Sequence, residues 1–191
     1  MRRLWGISAA GSLLVAAVLA GGCATGTPAA SEPSRMAWAE LKSASGESVG
    51  SALLRQEDGR VRIVVQASGL SPGRHGIHVH AVGRCEPPSF QSAAAHFNPM
   101  AKKHGLENPE GSHGGDLPDV EADASGRVEY VAVTDRLTLG SGPTSIFDVD
   151  GSAIVIHQQP DDQRTDPSGN SGDRVLCGQL VAGPTSGLLR P

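Results

Sequence analysis

Seven histidines are spread unevenly along this 191-residue chain. Six of them fall within the 39 residues from His75 to His113. Neutral imidazole is a good ligand for Cu(II) and Zn(II), and a carboxylate can complete such a ligand set. The cluster therefore predicts metal binding, and it holds enough ligands for two ions.

The candidate ligands fall on two predicted strands and one long loop. His78 and His80 are one residue apart in an apparent strand, so their side chains leave the same face. His157 follows directly on the apolar run 154–156. The loop contributes a tetrahedral set suited to Zn²⁺: His96, His104, His113 and Asp116. His75 is interpreted as a structural residue.

Each feature also has a simpler interpretation when taken alone. A single histidine is usually a surface residue or a hydrogen-bonded core residue, and His78-x-His80 by itself is a weak metal signal. The loop histidines alone could be solvated. The joint arrangement of six imidazoles and one carboxylate favours two metal sites over these alternatives.

Composition predicts an all-β domain that would position these ligands. The 25 glycines and 13 prolines exclude a coiled coil or a long helical bundle. A hydrophobic fraction of 38% and a net charge of −4 argue against a disordered chain. No basic stripe is present, so we expect no nucleic-acid partner.

Short β-branched segments separated by turn residues predict the strands. They cover residues 36–41, 48–56, 60–66, 76–82, 127–134, 152–157 and 174–182. About eight short strands with two long loops, 83–125 and 158–173, indicate a β-sandwich or barrel. A loop as long as 83–125 is unusual in a compact domain unless it is functional.

The first 22 residues are typical of an export signal, with a basic start followed by the apolar run 4–20. The small residues before Cys23 resemble a bacterial lipobox, although Leu19 lies one place too far upstream. We therefore expect a lipoprotein signal peptide at 1–22 and lipidation of Cys23. Ordinary signal cleavage nearby is the alternative.

Export sets the remaining boundaries and the compartment. Residues 23–34 are rich in Ala, Ser, Thr and Pro and predict a flexible tether. A domain at 35–183 and a loose tail at 184–191 follow. The expected location is the cell envelope, anchored by lipid to a bacterial membrane and facing the periplasm or the exterior. There, Cys85 and Cys177 can form a disulfide, and two unpaired buried thiols are the alternative.

Five segments carry a resemblance to the copper/zinc superoxide dismutases. They are His75-Gly-Ile-His78-Val-His80, His96-Phe-Asn-Pro-Met-Ala-Lys-Lys-His104-Gly, His113-Gly-Gly-Asp116-Leu, Ile154-Val-Ile-His157 and Gly172-Asp-Arg174-Val-Leu-Cys177-Gly. Their order and spacing agree with that family over roughly residues 36–182. The expected fold is all-β, an eight-stranded Greek-key β-barrel or sandwich with two long functional loops.

The resemblance implies a role for each candidate residue. Copper would be bound by His78, His80, His96 and His157. Zinc would be bound by His96, His104, His113 and Asp116, so that His96 bridges the two ions. Asp161 resembles a carboxylate that hydrogen-bonds one histidine from each site, and Cys85 and Cys177 resemble the family's disulfide.

The activity implied is dismutation of superoxide to O₂ and hydrogen peroxide, with a redox-cycling copper and a structural zinc. His96 would carry a proton, and Arg174 would attract the anion, unless Arg174 instead forms a structural salt bridge. The animal form of the family has a Lys-Thr pair where this chain has Pro167-Ser168, so one loop lysine is missing. The cations that could assist Arg174 are Lys102, Lys103 and Arg164.

Three matters stay open at this point. A non-catalytic copper/zinc-binding protein of the envelope would need the same ligands, and a structural or adhesive β-sandwich would need none. Pairing into a homodimer is left undecided, because no interface patch stands out from the sequence.

Overall fold

The computed structural model describes residues 35–183. The predicted signal peptide 1–22, the tether 23–34 with its Cys23, and the tail 184–191 lie outside the described residues. Across residues 35–183 the only helical element is a 3₁₀ turn at Gln91–Ala93. No helix in this range is long and apolar enough to span a bilayer.

Short antiparallel strands form the described part of the chain. They are β1 (Met36–Ser43), β2 (Ser48–Glu57), β3 (Arg60–Ala67), β4 (Gly73–His75), β5 (Ile77–His80), β6 (Val120–Ala122), β7 (Val128–Thr134), β8 (Ala153–His157), β9 (Arg174–Gln179) and β10 (Val181–Ala182).

The strand order closes the sheet into a barrel. It runs β4-β6-β7-β3-β2-β1-β9-β8-β5, with β10 also paired to β1. The two ends of this order, β4 and β5, are separated only by Gly76, so one chain segment supplies both edges. Only Leu180 separates β9 from β10. With these interrupted pairs counted as single strands, the ten segments form eight, as the resemblance implied.

Two connections give the barrel its Greek-key topology. The chain passes from β3 to β4 and from β7 to β8 between strands that are not neighbours in the sheet. The connection from β5 to β6 and the connection from β8 to β9 are the two predicted long loops. The fold class predicted from the sequence is therefore confirmed.

Alternation of buried and exposed side chains fixes the inner face of the barrel. In β3, Val61, Ile63 and Val65 are fully buried, while Arg62 between them is exposed. The sequence predicted this shared face. β7 shows the same period of two over its whole length.

The stretch 83–125 is more ordered than its lack of periodicity predicted. It contains the 3₁₀ turn and the strand β6, which pairs with β4. A three-residue strand is too short to show a period of two in the sequence. By contrast, 158–173 contains no strand, as expected.

Gly76 allows the second long loop to lie against the barrel. A Cβ atom there would meet Ser171 Cβ at 2.9 Å and Asp161 Cβ at 3.3 Å. The Gly76 backbone pairs with the start of the loop. Its N–H donates to Gln159 O at 2.8 Å, and its carbonyl accepts from His157 N at 2.8 Å. The loop thereby reaches the histidine cluster.

Candidate metal centre

Two strands and the first long loop bring four histidines together. His78 and His80 come from β5 and His157 from the end of the adjacent β8. His96 reaches the same place through a β-bridge with His80. One ring nitrogen from each of these four residues lies within 4.8 Å of the others, and all four are buried. This is the set that the resemblance assigned to copper.

Hydrogen bonds to backbone carbonyls set the tautomers of two of these rings. His80 Nδ1 donates to Ala94 O at 2.9 Å, and His157 Nδ1 donates to Gly172 O at 3.1 Å. The Nε2 atoms of both rings are then unprotonated, and they lie 3.4 Å apart. Two lone pairs from two strands are thus directed to one point.

The other two rings carry buried nitrogens without a partner. His78 Nδ1 and His96 Nε2 form no hydrogen bond to any protein atom. An unsatisfied buried polar atom costs about 1–3 kcal/mol. Four imidazole nitrogens around one point fit a copper ion, because a bound cation would satisfy all of them at once.

A second ligand set surrounds Asp116, which is fully buried. Its Oδ1 lies 3.0 Å from His96 Nδ1, 3.1 Å from His104 Nδ1 and 3.3 Å from His113 Nδ1. His113 Nδ1 is 3.4 Å from His96 Nδ1. Ligands of a tetrahedral zinc ion bound at about 2.0–2.1 Å are separated by about 3.3–3.4 Å. The predicted zinc set therefore has the spacing of a zinc site.

His78 also lies close to this second set. Its ring falls within a 4.8 Å grouping with His96, His104 and Asp116. Its Nε2, however, donates to Asp161 Oδ2 at 2.7 Å, which leaves only Nδ1 as a ligand on the copper side. His96 alone offers one nitrogen to each set, with Nδ1 near Asp116 and Nε2 without a protein partner.

Asp161 connects the two ligand sets. Its Oδ2 accepts from His78, and its Oδ1 accepts from His104 Nε2 at 3.0 Å. The N–H of Gln163 also donates to Oδ1, at 2.7 Å. Such contacts fix the orientation of metal-binding rings and the nitrogen that remains free.

Burial and charge set the protonation of the cluster. Burial lowers the pKa of His78 to about 3 and that of His157 to about 4, so both rings are neutral at ordinary pH. Burial also disfavours charge on His104, but hydrogen bonds to Asp116 and Asp161 outweigh it and raise that pKa to about 9. The pKa of Asp116 lies well below its usual range despite burial, because His104, His113 and His96 contact it. The cluster thus holds neutral rings on the copper side and a carboxylate anion on the zinc side.

Arg174 begins β9 beside this cluster. Its Nη1 donates to Phe90 O at 2.7 Å and its Nη2 donates to Ala94 O. Within residues 35–183 it forms no ion pair, so its charge is not neutralised by a carboxylate. Partial burial lowers its pKa from the usual range.

The three cations considered as helpers differ in their pairing. Lys103 Nζ lies 3.3 Å from Asp166 Oδ2, and Arg164 Nη2 lies 2.6 Å from Glu107 Oε2. Lys102 has no ion-pair partner among the residues that the structure describes. Of these three cations, Lys102 alone keeps an uncompensated charge within residues 35–183.

Three contacts that support the site had no signal in the sequence. Asp166 Oδ1 accepts from the N–H of His104 at 2.8 Å, and Asp119 Oδ1 accepts from the N–H of Asp161 at 3.1 Å. Arg136 Nη2 donates to the carbonyl of Asp116 at 2.6 Å. These partners are 20 to 62 positions apart, so local patterns cannot reveal them.

Two further predictions concern residues beside the cluster. Cys85 and Cys177 form a disulfide with an S–S distance of 1.97 Å, which confirms their pairing. His75 is buried, and its Nδ1 lies 2.8 Å from the carbonyl oxygen of His157, outside both ligand sets.

A closed Greek-key barrel with two adjoining buried ligand sets defines a β-barrel protein of the dinuclear metal-binding class. The family model of copper/zinc superoxide dismutase (SODC) matches residues 48–180. The chain belongs to the copper/zinc superoxide dismutase family. Its cofactors are copper and zinc, and the ligand sets described above fit both ions.

Curated relatives and solved structures agree with this assignment. The chain is 44% identical over 142 residues to "Superoxide dismutase [Cu-Zn] 1" of Aquifex aeolicus, covering 73% of this chain and 84% of that protein. It is 41% identical over 145 residues to "Superoxide dismutase-like protein YojM" of Bacillus subtilis, covering 74% of each. The crystal structure of a SOD-like protein from Bacillus subtilis superimposes with a TM-score of 0.73 at 40% identity, covering 75% of this chain and 97% of that one.

Proposed function

We propose that this protein is an enzyme that dismutates superoxide to O₂ and hydrogen peroxide. The observation that carries the proposal is the copper-side ligand set. All four positions hold buried histidines, and the hydrogen bonds of three of them leave a ring nitrogen free on the metal side. A redox site needs this complete set together with an anion-binding group beside it.

The side chains have distinct tasks in this proposal. When bound, copper supplies the one-electron redox change and zinc supplies a redox-inert charge. Arg174 is held by two carbonyls, so its guanidinium can bind and orient a small anion. His96 Nε2 lacks a protein partner and can hold a proton for the reduced product. Two superoxide anions and two protons give one O₂ and one hydrogen peroxide.

A non-catalytic copper/zinc-binding protein of the envelope is the second candidate. One relative is named "Superoxide dismutase-like protein", and this name is the reason for considering a protein without enzyme activity. Such a protein would need the metal sites but not the guanidinium of Arg174, which has no carboxylate partner among residues 35–183.

One experiment separates the two candidates. The purified protein is assayed for superoxide removal and metal content as isolated, after copper removal and after copper is returned. We expect cyanide-sensitive activity that disappears with copper and returns with it. Stoichiometric copper and zinc without activity would support the binding protein instead.

We further propose that the protein is exported and anchored by lipid at Cys23, facing the periplasm or the exterior. Association into a homodimer is likewise a proposal. The sequence of residues 1–34 supports the anchor. Mass spectrometry of the membrane-extracted protein should find an acylated Cys23 at its N-terminus. A Cys23→Ser variant that stays in the membrane fraction would contradict the anchor.

A further inference from the structure

An ion pair joins the short strand β4 to the chain just before β6. Arg74 Nη2 lies 2.9 Å from Asp119 Oδ2. The side chain of Arg74 is 61% exposed, whereas that of Asp119 is only 2% exposed. Ion pairs with two exposed partners contribute little, because water screens both charges. This pair differs from them, because one of its two charges is shielded from water.

The carboxylate of Asp119 needs the charge of Arg74. Its Oδ2 is buried and accepts no hydrogen bond from the part of the chain that the structure describes. Burial raises the pKa of Asp119, while the N–H of Asp161 and the charge of Arg74 oppose that rise. A buried carboxylate without a cation is costly. Arg74 therefore stabilises the ionised form of Asp119.

The other oxygen of Asp119 reaches the second long loop. Asp119 Oδ1 accepts from the N–H of Asp161 at 3.1 Å. The side chain of Asp161 accepts in turn from His78 Nε2 at 2.7 Å and from His104 Nε2 at 3.0 Å. An exposed arginine is thus connected, through two carboxylates, to one ring in each ligand set.

Asp161 is held tightly in this position. It is 4% exposed, and the N–H of Gln163 donates to its Oδ1 at 2.7 Å. Behind it, a Cβ atom added to Gly76 would lie only 3.3 Å from the Cβ of Asp161. Without Asp119 the buried N–H of Asp161 loses its acceptor, which is unfavourable. Any shift that restores an acceptor also moves both carboxylate oxygens away from the rings that they orient.

We propose that Arg74 and Asp119 position Asp161 and thereby control how tightly the protein holds both metals. The contacts described above connect the pair to the ligand rings only through Asp161, so Arg74 and Asp119 are positioning residues. The proposal concerns metal retention, and it can therefore be tested whether or not the protein removes superoxide.

Metal affinities of the purified full chain, measured by competition with chelators, test the proposal. Asp119→Ala removes the acceptor of the Asp161 N–H, and both copper and zinc affinities should fall by about 10-fold. Arg74→Gln leaves a buried carboxylate without its cation, and both affinities should fall by about 3- to 10-fold. The electron paramagnetic resonance spectrum of the Cu(II)-loaded protein should change in both variants, because the orientation of His78 changes.

Arg55→Gln is the matched control. Arg55 also faces a carboxylate, with its Nη1 3.7 Å from Glu57 Oε1, but both side chains of that pair are about half exposed. Its strand, β2, lies in the middle of the strand order, whereas β4 and β5 lie at the two ends. We expect no change in either metal affinity or in the spectrum.

Two double variants test the route of the effect. In R74Q/D119N the amide can still accept from the Asp161 N–H and has no charge to compensate, so both affinities should recover toward those of the parent protein. In the Asp161→Asn background, adding Arg74→Gln should have no further effect, because the connection to the rings is already broken.

Circular dichroism verifies that each variant is folded under the titration conditions. If Asp119→Ala does not fold, the exposed position of Arg74 still allows the comparison of Arg74→Gln with Arg55→Gln. Affinities that are equal in these two variants would overturn the proposal. So would the loss of one metal alone, or an effect of Arg74→Gln that persists in the Asp161→Asn background.

Discussion

Histidines on the copper side use one ring nitrogen for a structural hydrogen bond and keep the other bare. For His80 and His157 the acceptors are carbonyls of Ala94 and Gly172, and for His78 the acceptor is Asp161. Carbonyls and a carboxylate accept only from N–H, so each contact dictates which nitrogen has the lone pair. The protein's own hydrogen bonds therefore orient the rings of the ligand set.

Asp161 is the residue whose loss should affect both metals. In Asp161→Asn one of the two acceptor oxygens becomes an NH₂ group, so the side chain can no longer accept from both His78 and His104. We expect copper and zinc affinities to fall by about 10- to 100-fold. Titration against a chelator measures both. Asp135→Asn, which changes an exposed carboxylate with no contact to the cluster, should leave them unaltered, and equal losses in the two variants would contradict this role.

Arg174 should affect turnover without affecting metal content. A charge-assisted hydrogen bond contributes about 1.5–3 kcal/mol, so Arg174→Ala should lower kcat/KM for superoxide by about 10- to 100-fold. The rate should also depend less on salt, because a local positive charge is lost. Stopped-flow assays over a range of ionic strength measure both effects. The control is Arg84→Ala, an exposed arginine 3.9 Å from Glu86. An unchanged rate in the Arg174 variant would remove it from substrate binding.

For single residues, the sequence predicted the candidate metal ligands better than the groups that hydrogen-bond to them. The spacing of His78 and His80 follows from strand geometry, and the remaining candidates came from motifs of a known family. The carbonyls of Ala94 and Gly172 carry no sequence signature, because every residue has one. Asp119 and Asp166 look like ordinary loop carboxylates until the chain folds back by 42 and 62 positions.

The connection between β5 and β6 is held to the barrel at its start by the Cys85–Cys177 disulfide. Cys177 lies in β9, three residues after Arg174. The same connection supplies the carbonyls of Phe90 and Ala94 that hold Arg174, and Ala94 also holds His80. One covalent link thus stabilises both Arg174, the proposed anion-binding group, and His80 of the copper-side set.

Removing this link should cost stability. The cysteines are 92 positions apart, and closing a loop of that length contributes about 4–5 kcal/mol in the chain-entropy treatment. We expect the double variant Cys85→Ser/Cys177→Ser to lose about 2–5 kcal/mol in free energy of unfolding. Urea denaturation measures the loss. Cys23→Ser should show none, and a double variant as stable as the parent would contradict the structural role of the disulfide.

Strands were predictable where they are long and one-sided. β3 and β7 alternate over seven or eight residues, and the structure places them where the pattern did. β6 pairs through three residues and has no such pattern. Leu180 interrupts the segment 174–182 that the sequence predicted as continuous, and β4 lies before the predicted start of the next strand at Gly76. A change of pairing partner depends on neighbouring strands rather than on local residue types.

Over the whole molecule the charge opposes the proposed substrate. The chain has a net charge of −4, and removal of Arg2 and Arg3 with the predicted signal would make it −6. An anion must then be attracted by a local field rather than by the net charge. Since Lys103 and Arg164 are already paired, we propose that this field comes from Arg174 with Lys102.

The neutral histidines also determine how the stability of the metal-free protein depends on pH. In the folded state the pKa is about 3 for His78 and about 4 for His157, and burial lowers those of His80 and His96 as well. In the unfolded chain all four return to about 6.5. Below pH 6.5 the unfolded state therefore binds more protons than the folded state. The free energy of unfolding must decrease as the pH falls through this window.

We expect the apoprotein to lose stability from pH 6.5 to about 5, with a slope approaching 1.4 kcal/mol per pH unit for each of His78 and His157, and His80 and His96 add to the loss in the same direction. His104 has the opposite sign, because a raised pKa of about 9 removes stability as the pH rises above 6.5. Maximal stability should therefore lie near pH 6.5. Urea denaturation of the chelator-treated protein measures the free energy of unfolding at each pH. His157→Asn should reduce the slope on the acid side by the contribution of one histidine, about 1.4 kcal/mol per pH unit. A flat profile between pH 5 and 6.5 would contradict this prediction, because it would mean that these rings bind protons as readily in the folded state as in the unfolded chain.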